Sequence, residues 1–72
     1  MYNEETILKQ FGRNIKIERI RIGLSQEQLA EKMDVNVQYL SKIERGKQNM
    51  SLKKIVELTN YLEADLKDIF RF

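Results

Sequence analysis

Residues 25–46, SQEQLAEKMDVNVQYLSKIERG, carry two helix signatures separated by a corner only a few residues long. Ser25 precedes an apolar-periodic run and Gln28 follows three positions later, an arrangement that satisfies two of the amides left free at a helix start. A helix is therefore predicted from about Gln26. Along it Leu29, Ala30 and Met33 gather on one side, with Glu27, Gln28, Glu31 and Lys32 on the other. Asp34 and Val35 leave room only for a sharp turn. Aspartate is one of the few non-glycine residues that tolerate left-handed backbone, and Asn36 is a strong N-cap for a second helix. In that second helix Leu40 and Ile43 are spaced to face inward, and Gly46 supplies a left-handed stop. Val37, Gln38, Ser41, Lys42 and Arg45 are left pointing outward. Small Ala30 lets the two helices cross closely, as a helix-turn-helix requires.

The outward row gains meaning from the charge around it. The 72 residues have a net charge of only +2, and residues 1–35 are evenly balanced. Residues 36–54, however, hold Lys42, Arg45, Lys47, Lys53 and Lys54 against Glu44 alone, and residues 55–72 are acidic. A basic cluster by itself is usually just a solvated surface. Coincident with a helix-turn-helix, it reads as the footprint of a nucleic-acid face.

Supporting helices flank the motif. From about Glu4 to Ile22, ending at Gly23, a long helix carries Ile7, Leu8, Phe11, Ile15 and Arg19 on one stripe. From Ser51 a fourth helix places Leu52, Ile55, Leu58, Thr59 and Leu62 inward, and Asp65 can cap a short fifth helix, residues 66–70. The expected fold is all-α, five helices in a single domain spanning residues 1–72.

Composition narrows the function classes. Without cysteine there is no disulfide framework or thiolate metal site, and without histidine the commonest general base and metal ligand are missing. There is no glycine-rich phosphate loop and no carboxylate pair in an apolar setting, so the chain reads as a non-enzyme with no cofactor, metal or small-molecule ligand. No stretch reaches the roughly 18–20 apolar residues that span a bilayer, and the opening MYNEET is acidic and polar, unlike a signal peptide. A cytoplasmic protein is expected.

The stretch covering residues 11–70 resembles the Cro/lambda-repressor type of helix-turn-helix domain, the XRE family. The residues that carry the resemblance are Gln26, Leu29, Ala30, Met33, Val35, Leu40, Ile43, Glu44, Arg45 and Gly46, with Arg19 before them and the run from Leu52 to Leu62 after. Asp34 stands where the family usually has glycine, and Met50 where proline is frequent. The Asn49-Met50-Ser51 sequence is similar to that of restriction-modification controller proteins within the family. The resemblance implies a partly buried ion pair between Arg19 and Glu44; the alternative is two separate surface charges. It also implies phosphate contacts from Arg45, Lys47 and Asn49, with Tyr39 a further hydroxyl donor.

Docking of such a motif sends the N-terminal residues of its second helix deepest into the major groove. This nominates Asn36, Val37, Gln38, Ser41 and Lys42 for base contacts: Gln38 to adenine, Lys42 to guanine, Val37 to a thymine methyl. Gln26, at the start of the first motif helix, is placed to bind phosphate through free amides and the helix dipole. One domain covers few base pairs, so a homodimer on a pseudo-palindromic operator is expected. Val56, Tyr61, Leu66, Ile69, Phe70 and Phe72 offer surplus apolar surface for an interface, with Ile17 and Ile20 a rival patch. Acidic Glu27 and Glu31 would serve a contact with RNA polymerase, or be ordinary solvated residues. The alternative function is an antitoxin-type module that neutralises a partner protein.

Overall fold

The computed structural model describes residues 1–72 and consists of five helices with no strand: α1 (Glu4–Arg21), α2 (Gln26–Met33), α3 (Val37–Glu44), α4 (Leu52–Tyr61) and α5 (Leu66–Ile69). Each helix starts where a short polar side chain can take up a free amide. Asn3 accepts from the Thr6 N–H, Asn36 from Tyr39, Ser51 from Lys54 and Asp65 from Lys67. At Ser25 the reciprocal box is complete: its Oγ accepts from the Gln28 N–H at 3.0 Å and the Gln28 Oε1 from the Ser25 N–H at 2.8 Å. Asp34 takes the left-handed conformation, φ 57°, that turns α2 into α3. Two ends differ by one residue from expectation, since Ile22 and Phe70 lie at caps rather than inside α1 and α5.

Nine apolar side chains form one core: Phe11 and Ile15 from α1, Leu29 and Ala30 from α2, Leu40 and Ile43 from α3, Leu58 and Leu62 from α4 and its cap, and Ile69 from α5. Each fully buried leucine or isoleucine contributes about 1.5–3 kcal/mol of transfer free energy. α1 packs on α3 and α5, while α2 packs on α3 and α4, so the recognition-type helix α3 is held from two sides.

Three expectations about facing need correction. Leu52 is 70% exposed rather than inward, because it is the first residue of α4 and the buried stripe begins a turn later, at Ile55 and Leu58. Val37 is not wholly outward; it is partly buried against the core. Ile69, assigned above to an intermolecular interface, is fully buried in the core, on the inner side of α5. It cannot face a partner without opening the domain.

The crossing of α1 over α3 depends on a glycine inside a helix. A Cβ placed on Gly12 would collide with the carbonyl oxygen of Ile43 and lie 2.7 Å from that of Glu44. Both obstacles are backbone and cannot rotate away. Gly12→Ala is therefore expected to destabilise by about 1–3 kcal/mol, through forced separation of the helices, although alanine favours a helix interior over glycine by about 1 kcal/mol. A denaturant melt of that variant coinciding with, or exceeding, the parent would refute the tight crossing.

Polar clamps fix the C-terminal segment on the opposite side of α1. Asn14 Nδ2 donates to the carbonyls of Ile69 and Arg71, both at 2.9 Å, and Arg21 reaches the Glu63 carbonyl at 3.4 Å. α5 thus runs alongside α1 between these clamps. Ile17, on the same helical side as Asn14 and Arg21, is flanked by it. Phe11, Phe70 and Phe72 form an aromatic series with centroid separations of 5.8 and 6.2 Å.

Candidate nucleic-acid interface

The inner face of α3 is locked and the outer face is free. Leu40 and Ile43 are fully buried, and Glu44 beside them meets Arg19 of α1 in a two-pronged ion pair. Arg19 Nε donates to Glu44 Oε2 at 2.7 Å and Arg19 Nη2 to Oε1 at 3.0 Å, while Nη1 donates to the Leu24 carbonyl at 2.7 Å. No buried polar side-chain atom is left without a partner. Such fork-to-fork pairs are directional as well as charge-assisted. This one ties α1 to the last turn of α3.

Glu44 Oε1 also accepts from the side-chain amide of Gln26 at 3.0 Å, which brings the start of α2 into the same network. The backbone amides of Gln26 and Glu27 have no acceptor within the chain and remain available, as in the first turn of any helix. Reading the residues missed this link, because it joins side chains 18 positions apart on two different helices. A glutamine at a helix start and a glutamate on an apolar stripe were its only separate signals.

Asn36, Gln38, Lys42 and Arg45 are exposed along the outer side of α3, with Val37, Tyr39 and Ser41 partly buried. Gln38 and Lys42 make no side-chain hydrogen bond or ion pair within the chain. Asn36 uses its Oδ1 as the cap acceptor, at 2.8 Å from the Tyr39 nitrogen. Arg45 Nε leans back to the Ser41 carbonyl at 3.3 Å.

Beyond α3 the chain turns at Gly46, φ 75°, whose missing Cβ would lie 2.7 Å from Lys9 Cα. Exposed Lys47 and Asn49 follow on this supported loop. Glu44 is matched by Arg19 and Lys54 pairs with Glu57 at 3.5 Å, so Lys42, Arg45, Lys47 and Lys53 carry the unpaired positive charge of this side. The result is a rigid polar ridge with cations at its end and beyond it. Glu27 and Glu31 are exposed on α2.

The helix-turn-helix family model matches residues 15–69. The chain belongs to the XRE-type helix-turn-helix family. Members of this family are DNA-binding transcriptional regulators, and that is the class of this protein. It is 36% identical over 63 residues to the control protein C.BamHI of Bacillus amyloliquefaciens, covering 86% of this chain and 78% of that one. With the control protein C.MunI of a Mycoplasma species it shares 34% identity over 62 residues, covering 85% and 84%. The crystal structure of the restriction-modification controller protein C.AhdI from Aeromonas hydrophila superposes with a TM-score of 0.79 at 35% identity, covering 88% and 96%. The XRE-type assignment agrees with the five-helix order and the position of the turn. No helix is long and apolar enough to cross a membrane.

Away from the ridge, Leu66, Phe70 and Phe72 are 42–52% exposed, unlike Ile69, whereas Tyr61, 40% exposed, lines a cleft with Asn36 and Tyr39 at the start of α3. Ile17, 50% exposed and flanked by α5, extends this apolar surface onto α1.

Proposed function

We propose that this XRE-type protein is a sequence-specific regulator that binds duplex DNA as a homodimer, with α3 of each subunit in the major groove of a pseudo-palindromic operator. The observation that carries this reading is the contrast between the two sides of α3: one sealed by core and ion pair, the other a ridge of unpaired polar side chains next to unpaired cations. Asn36, Val37, Gln38, Ser41 and Lys42 read base edges. Gln26, Tyr39, Arg45, Lys47 and Asn49 hold phosphates and fix the register. The likeness to C.BamHI and C.AhdI favours restriction-modification genes as targets. Protection of two half-sites about one helical turn apart, in DNA upstream of its own gene, is the expected footprint; absence of protection there and on related operators would overturn the reading.

The proposed dimer contact joins Ile17 of α1 to Leu66, Phe70 and Phe72 of the C-terminal segment, which the Asn14 and Arg21 clamps hold against α1. Leu66→Glu alters only an exposed side chain, so the subunit should fold. Sedimentation is expected to find it monomeric where the parent is dimeric, with operator affinity lowered about 100-fold or more by loss of two-site engagement. A variant still dimeric and binding at parental strength would exclude this surface.

A further inference from the structure

Resting on the DNA-binding reading, we infer that Glu4 and Glu5 at the start of α1 are an electrostatic brake that holds down sequence-independent affinity for DNA. Gly46 is pressed onto the backbone of α1 at Lys9, so the first turns of α1 run directly alongside the loop that follows α3. Asn3, Glu4, Glu5 and Leu8 line one groove with Gly46, Lys47 and Asn49. Two carboxylates therefore border the residues assigned to phosphate.

Neither carboxylate is neutralised by the loop. Glu5 pairs with Lys9 at 3.4 Å, both side chains being more than half exposed, and Glu4 has no cation within pairing distance. Lys47 likewise has no carboxylate partner. Glu4 and Glu5 also complement the positive end of the α1 dipole. That local role explains their presence at a helix start but not their consequence for a polyanion brought to the loop. A phosphate held by Lys47 and Asn49 lies within reach of their field.

An exposed charge about 10 Å from a phosphate is repelled weakly in water, and the repulsion vanishes once the Debye length falls well below that distance. In a dimer the effect acts at both loops. Because phosphates are the same in every sequence, the brake lowers affinity for all DNA and base readout remains the source of preference. A small regulator is thereby kept from being held by bulk chromosomal DNA.

The test uses the full chain and a fluorescent mixed-sequence 24-bp duplex, titrated at several salt concentrations with the parent, Glu4→Gln/Glu5→Gln, Lys47→Ala and the combined variant. The glutamine variant is expected to bind about three- to tenfold more tightly near 0.02 M salt, and within twofold of the parent near 0.5 M. Its gain should shrink in the Lys47→Ala background. If it binds like the parent while Lys47→Ala weakens binding, the brake is excluded and the DNA face stands. If neither substitution changes affinity at any salt concentration, the phosphate assignment to this loop fails, and the inference fails with it.

Discussion

Glu44→Ala is expected to lower the unfolding free energy by about 3–5 kcal/mol, the cost of leaving a buried charge without its partner. The arginine and glutamate side chains are 9% and 3% exposed, so water cannot take over the role of the carboxylate. Arg19 would keep only the Leu24 carbonyl, and the Gln26 amide would lose its acceptor. Proteins of this size have total stabilities of a few kcal/mol, at about 0.05–0.15 kcal/mol per residue. The variant would give up a large share of that stability. Urea denaturation followed by circular dichroism checks this, with Arg19→Met/Glu44→Leu as the control. Replacing both charges by apolar groups of similar size should cost far less than removing one. A single variant as stable as the parent would mean that the pair does not carry the joint between α1 and α3.

The second large effect concerns recognition. Gln38→Ala/Lys42→Ala is expected to weaken binding to the operator by about 2–6 kcal/mol, since each well-made base contact is worth about 1–3 kcal/mol. Both side chains are exposed and unpaired, so thermal stability should stay within about 0.5 kcal/mol of the parent. The loss should fall on the operator and spare unrelated duplexes, whereas Lys47→Ala should weaken binding to both and flatten the salt dependence. Competition titrations with operator and mixed-sequence duplexes separate these cases. Unchanged affinity and selectivity in the double variant would remove α3 from the role of reader.

The sequence was most legible where the physics is local. Ser25 with Gln28, Asn36, Ser51 and Asp65 announce helix starts because each cap bonds to an amide two or three residues away. Asp34 marked the turn because few residues tolerate that backbone conformation. Legibility faded where two helices meet. Gly12 stood out in no pattern of the sequence, yet it sets the distance to α3. Asn14, a polar residue on a long helix, gave no sign that it holds the carbonyls of residues 69 and 71. Leu52 and Ile69 were misread in opposite directions, since periodicity says which residues share a face but not where along a helix a neighbour begins or which neighbour it is. Arg19 and Glu44 came from family resemblance rather than spacing; the third member of their network, Gln26, emerged only from the geometry.

The Arg19–Glu44–Gln26 joint has a consequence for how such a molecule can diversify. Its carboxylate is turned to the interior, so exposed positions 38 and 42 can be rewritten without disturbing what keeps α3 at its angle. At these two positions target preference is inherited apart from foldability, and a lineage can change part of its address while keeping its chassis.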